Sequence, residues 1–342
     1  MKIITASNDP VRASRAPGAK WREAMKSAVR DPAHLCALLN LPPRIRESAS
    51  KADADFSLLV PRSYISRIRL GDPHDPLLRQ VLPTEAERRI VRGFTSDPVG
   101  DRSARRAGRL LHKYHGRVLM VTTGACAVHC RYCFRRHYPY AEARHCTRRW
   151  EASLEHIARD PSIEEVILSG GDPLALVDVR LAELATMLAG IPHVRRLRIH
   201  TRMPIVIPQR VTDSLLDWLL GTRLRPIVVV HANHPRELDE AVVAALSKLV
   251  GASIPVLNQS VLLRGVNDDA ETLIALSHRL LGCGVLPYYL HQLDRVAGAA
   301  HFEVPVEEGI QLIGQMRRRL PGYAVPRYVQ DIAGEPSKRV LA

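Results

Sequence analysis

Six times after residue 110, a short apolar run is followed by a stretch with helical periodicity, or by the segment that ends the chain. The runs lie at 117–121, 165–168, 196–200, 226–230, 254–260 and 285–289. Helical stretches fall between them at 150–158, 179–188, 213–220, 237–250 and 270–281. Strands that alternate with helices read as βα units, and largely apolar strands read as a parallel sheet covered on both faces. Right-handed crossovers curl six such units into a partial (β/α)6 barrel rather than a closed eight-stranded one. The expected fold class is therefore α/β, with catalytic groups at the carboxyl ends of the strands.

The part before the barrel reads differently. Residues 1–20 are polar and carry Pro10 and Pro17, so they are expected to be disordered. Trp21, Ala24, Met25, Ala28 and Val29 recur at helical spacing, and Asp31-Pro32 ends one helix and can start another. Residues 21–107 are thus expected to form a helical accessory region, and 108–342 the barrel with a C-terminal segment. No run of eighteen apolar residues is present, and the N-terminus lacks the apolar centre of a secretory signal. The expected location is the cytoplasm. A net charge of +14 would suit a nucleic-acid or acidic protein partner. The basic clusters at 102–106, 148–149 and 317–319 are short and separated, and only 5% of residues are aromatic. That pattern favours diffuse surface charge over an RNA-binding face.

Three cysteines stand just after the first strand: Cys126, Cys130 and Cys133, spaced C-x3-C-x2-C. Cluster-binding cysteines normally come in fours. A compact three would ligate three irons of a cubane and leave the fourth for an outside molecule. Zinc held with His129 or His137, or plain packing, is left open by the spacing alone. Cys36, Cys146 and Cys283 are scattered and read as packed or incidental. A second feature, Ser169-Gly170-Gly171-Asp172-Pro173-Leu174, follows the second strand, where glycines let backbone approach a ligand closely. Near the end lies Gly334-Glu335-Pro336-Ser337-Lys338. Such a lysine is either a solvated charge or, if enclosed, a candidate for a Schiff base with pyridoxal phosphate (PLP).

The C-x3-C-x2-C spacing, with Tyr132 before the third cysteine, resembles the signature of radical S-adenosylmethionine (SAM) enzymes. Six ordered blocks extend the resemblance to the lysine 2,3-aminomutase family. They are LLHKYHGRVLMVTTGACAVHCRYCFRR, LSGGDPL, RIHTRMPIVIP, LNQSVLLRGVND, PYYLHQLDRVAGAAHF and GEPSK, within a match running from Leu58 to Lys338. The resemblance implies a radical SAM barrel, a [4Fe–4S] cluster on Cys126, Cys130 and Cys133, and PLP on Lys338. It implies that Gly170, Gly171, Asp172 and Gln259 contact SAM. Lys113, Tyr114 and Arg117 fall in the PLP phosphate region. Arg135 would hold the carboxylate of L-lysine, and Asp294 and Asp331 its far ammonium.

The implied reaction is a radical 1,2-shift of the α-amine that regenerates SAM and draws on an external electron donor. The CAVHCRYCFRRHYPYAE block and GEPSK look most like family members that make (R)-β-lysine for elongation factor P and its lysyl-ligating enzyme. A free-standing aminomutase and a radical SAM RNA-modifying enzyme are the alternatives. Longer members carry zinc-binding cysteines in a C-terminal extension. No cysteine follows Cys283 here, so no such zinc is expected. GEPSK also replaces the family's glycine-rich run before the lysine.

Overall fold

A computed structural model describes residues 19–53, 55–140 and 150–342. The expectation for residues 1–18 lies outside the described residues, as do Cys146 and the basic pair at 148–149. Among the described residues, nine strands form one sheet in the order of the chain. They are β1 (Leu110–Tyr114), β2 (Arg117–Thr123), β3 (Glu165–Gly170), β4 (Arg196–Thr201), β5 (Arg225–Val230), β6 (Val256–Val261), β7 (Leu286–His291), β8 (Arg327–Gln330) and β9 (Arg339–Val340). Strands β2 to β8 run parallel. β1 and β9 pair antiparallel at the two edges. This is the α/β architecture expected, enlarged by a seventh parallel strand and two edge strands.

Helices α1 (Ala19–Lys26), α2 (Pro32–Leu38), α3 (Pro43–Ala52), α4 (Arg62–Ile65) and α5 (Pro76–Arg79) precede the sheet. Between the parallel strands run α6 (Glu151–Arg159), α7 (Asp178–Ala189), α8 (Met203–Val206), α9 (Asp213–Leu220), α10 (Glu240–Gly251), α11 (Ala270–Gly282) and α12 (Val306–Arg317). The crossover helices begin where the sequence supplies caps. Asp239 accepts from Val242 N at 2.9 Å and Asp269 from Thr272 N at 2.8 Å. Past the end of α11, Gly284 turns the chain with φ of 75° and β7 follows.

The valines of β5 (Val228, Val229, Val230) are all buried, as a strand covered on both faces requires. β4 alternates instead: Leu197, Ile199 and Thr201 are buried, while Arg196, Arg198 and His200 are less so. The helices before the sheet do not close on a core of their own. Trp21, Leu35, Leu77 and Leu78 belong to the same buried cluster as Val166, Leu168 and Val230 of the sheet. A smaller cluster, with Ile313, Met316 and Tyr328, holds α12 and β8 against the last units. Cys36 and Cys283 are buried, as packed cysteines. No described helix is long and apolar enough to cross a membrane.

Candidate active site

The loop after β2 carries Cys126, Cys130 and Cys133 as free thiols. It is strapped from the helical side. His129 N donates to the Leu59 carbonyl and Arg131 N to the Gln80 carbonyl, both at 2.9 Å. The Arg131 guanidinium grips Glu87 through Nε and Nη2 at 2.9 and 2.6 Å, and Arg136 adds a third bond to that carboxylate at 2.9 Å. Both guanidiniums lie over the Phe56 ring, at 4.9 and 4.7 Å. Removing Glu87 would leave two buried cations without their anion, so this strap is stiff.

Burial, reinforced by Cys133 and Asp172, pushes the Cys126 thiol well up; burial and Cys130 push Cys133 up to about 11. Thiols that resist ionising here would become thiolates only on meeting cations, which the irons of a cluster supply. Zinc completed by His129 or His137 fits less well. His129 Nδ1 donates to the Ser57 carbonyl at 2.7 Å and His137 Nε2 to the Ala297 carbonyl at 3.0 Å. Among the described residues, no three His, Cys, Asp or Glu close on one ion. A cubane spreads its cysteines over separate irons and does not need them to.

The Gly170-Gly171-Asp172 turn packs against the cysteine loop. Gly171 N donates to the Thr123 carbonyl and Asp172 N to the Ala125 carbonyl, both at 2.7 Å. Gly170 has φ of 121°, and a Cβ there would lie 2.6 Å from the Thr123 carbonyl. A Cβ on Gly171 would strike the Ala125 carbonyl. The glycines thus let β3 press on the backbone of the cysteine loop. Asp172 is also committed within the chain. Its two oxygens accept from Leu174 N (3.0 Å), Thr201 Oγ1 (2.7 Å), Arg202 N (2.7 Å) and Met203 N (3.1 Å). Four donors meet this carboxylate, so Asp172 organises the end of β4.

At the other side of the barrel mouth, the chain after β8 returns through Lys338. Its Nζ lies 2.6 Å from Asp331 Oδ2, and Tyr114 Oη donates to Asp331 Oδ1 at 3.1 Å. Burial, then the charge of Asp331, raises the Asp294 carboxyl to about 7, against the pull of Lys338 and Lys113. Lys113 lies 2.7 Å from both Asp101 and the Val99 carbonyl. Arg117 stacks over the Tyr114 ring at 4.8 Å. Arg135 Nε is 2.7 Å from the other oxygen of Asp101, and Nη1 reaches Ser169 Oγ at 3.4 Å. Burial works to raise the Asp101 carboxyl, but Arg135 and Lys113 outweigh it and hold it low. Asp101 thereby links two residues singled out from sequence, although nothing in the sequence marked it.

The interior between these groups is lined by imidazoles. Gln259 Nε2 meets His231 Nε2 at 3.0 Å, and the His200 and His231 rings lie edge to face at 6.2 Å. Burial lowers His231 to about 4, and His200 and His291 also fall well below their ordinary value. All three are neutral near pH 7. Nε2 of His200 and Nε2 of His291 are buried with no partner among the described residues, polar atoms that a ligand would satisfy. Their positions at the ends of β4 and β7 were the available signal. Arg202, also missed, follows β4 directly; its Nη1 donates to Cys130 Sγ at 2.7 Å.

Comparison with known proteins agrees with this geometry. Residues 120–276 match the model of the radical SAM superfamily. The L-lysine 2,3-aminomutase of Haemophilus influenzae is 46% identical over 94% of this chain and 95% of its own. That of Escherichia coli is 47% identical over 100% of this chain and 98% of its own. That of Clostridium subterminale is 33% identical over 93% of this chain but 76% of its own. With its cysteine loop, its strand-end groups and its returning lysine on one barrel mouth, the chain belongs to the L-lysine 2,3-aminomutase family of radical SAM enzymes.

Proposed function

We propose that the protein converts L-lysine to β-lysine as a PLP-dependent radical SAM aminomutase. The observation that carries this reading is the returning lysine: Lys338 lies inside the barrel mouth on Asp331, beside Tyr114 and the raised carboxyl of Asp294. When bound, the cluster and SAM supply a primary carbon radical, and PLP supplies a conjugated carrier for the migrating amine. Cys126, Cys130 and Cys133 would hold three irons. Lys338 is the amine that would carry PLP. Of the phosphate candidates, Lys113 is committed to Asp101, which leaves Arg117 on the Tyr114 ring as the freer cation.

Arg135 would meet the substrate carboxylate with the edge of its guanidinium that Asp101 does not hold. Asp294 and Asp331 would take the far ammonium, and two carboxylates at that distance select a long cationic amino acid. Gln259, tied to His231, would meet SAM. The Gly170–Asp172 turn would contact SAM, and its glycines also hold the cysteine loop in place. An electron donor must reach the cluster from outside.

The finer reading is that the product is (R)-β-lysine, made in the cytoplasm for elongation factor P and its lysyl-ligating enzyme. It rests on the CAVHCRYCFRRHYPYAE and GEPSK blocks and on likeness to short family members. The test is anaerobic turnover of L-lysine with reconstituted cluster, SAM, PLP and dithionite, read by chiral chromatography. β-Lysine without net loss of SAM is the expected result. No product despite an intact cluster and bound PLP would remove Asp294 and Asp331 from substrate recognition. Adding elongation factor P and its ligating enzyme then tests the destination.

A further inference from the structure

Arg202 is enclosed where the helical region, the cysteine loop and the ends of β4 and β5 meet. Its Nη2 donates to Glu237 Oε2 at 2.8 Å and to Gln80 Oε1 at 2.7 Å. Glu237 is itself fully buried and is fixed by Gln80 Nε2 at 3.0 Å and Asn233 N at 2.9 Å. The backbone of Arg202 is held by Asp172 at 2.7 Å. A buried ion pair joining helices to barrel would account for all of these contacts. It does not account for Nη1, which is turned to Cys130 Sγ, or for Nε, which is buried with no partner among the described residues.

We propose that Arg202 sets the electron affinity of the iron–sulfur cluster through Cys130, with Glu237 as its opposing charge. The inference rests on the cluster reading above. Reduction takes one electron from a low-potential donor and carries [4Fe–4S]2+ to [4Fe–4S]1+, adding a negative charge inside the protein. A fixed cation hydrogen-bonded to a ligand sulfur stabilises the reduced form more than the oxidised one, and burial limits solvent screening of that difference. Glu237 acts in the opposite sense from farther away, because the guanidinium stands between it and the sulfur. Asp172 contributes by fixing where the guanidinium starts. It gives the Gly-Gly-Asp turn a role in tuning beside its expected contact with SAM.

The test is a redox titration of the reconstituted full chain, followed by electron paramagnetic resonance, alongside iron and sulfide content. Arg202→Gln should keep its iron and sulfide but lower the equilibrium constant for reduction at least tenfold, about 59 mV for one electron. Arg202→Lys should recover part of that shift, and Glu237→Gln should move the midpoint the other way. Wild-type midpoints in both Arg202→Gln and Glu237→Gln, with full clusters, would overturn the proposal. If Arg202→Gln assembles no cluster, Glu237→Gln decides, and an unchanged or more negative midpoint overturns it. A wild-type chain that takes up no iron would instead sink the cluster reading itself.

Discussion

Among single side chains, Asp294 stands in the sharpest conflict with its surroundings. Burial and the neighbouring charge of Asp331 raise its carboxyl from 3.8 to about 7. Between those values the folded protein keeps a proton that the unfolded chain has released. Stability therefore falls as pH rises through that window and levels off above it. Asp294→Asn removes this titration. Urea unfolding of the cofactor-free protein at pH 5 and pH 8 should show wild type losing roughly 1–2 kcal/mol more than the variant, less than a full conversion because solvent reaches the site. Equal losses would mean that Asp294 ionises normally. If Asp294 receives the lysine ammonium, binding expels that proton, so affinity for lysine should improve as pH rises through 7. The cysteines stand out in the sequence by their spacing, and Lys338 only through the family resemblance of its GEPSK segment. Arg202 and Asp101 were not, because their importance lies in which residue each faces.

Among the elements, the contact between β3 and the cysteine loop is the tightest to test. Gly171→Ala drives a methyl group into the Ala125 carbonyl, and neither side is a flexible side chain. The expected cost is about 1–3 kcal/mol of stability with less iron bound per chain. Gly251→Ala, at the end of α10 with nothing within 4 Å, is the control and should change neither. Full iron and full stability in Gly171→Ala would show that the loop yields. The six longer parallel strands were legible because apolar runs of that length have few other readings. β8 was missed because it has four residues, and β9 because it has two. β1, LLHKY, is half polar and gains its pairing only through the tight turn at Gly116, with φ of 74°. α12 contains Gly309 and Gly314, which weaken a helical reading. Gly309 is needed where it is, since a Cβ there would strike the Tyr328 ring.

Across the whole molecule, chemistry collects at one rim because each parallel strand delivers its last residues there. β2 leads to the cysteines, β3 to the glycine turn, β4 to Arg202, β5 to His231, β7 to Asp294 and β8 to Asp331. Gln259 lies within β6, near that end. Locating strands therefore located the rim, but not the pairings across it, which depend on distances that sequence order does not encode. Lys338 and Asp331 are the clearest case. They are close in sequence, and the short return from β8 to β9 brings them to 2.6 Å. The lysine that would anchor PLP thus sits on the carboxylate proposed to receive the substrate's ammonium, so the chain is its own competitor. Freed of that rival, cofactor-free Lys338→Ala should bind L-lysine at least tenfold more tightly than cofactor-free wild type in calorimetry, although it can no longer form a pyridoxal adduct. Equal affinities would mean that the two ammonium groups do not share a seat. If they do, loading the cofactor also unlocks the door to the amino acid, and a protein starved of pyridoxal would stay closed to lysine however much of it is present.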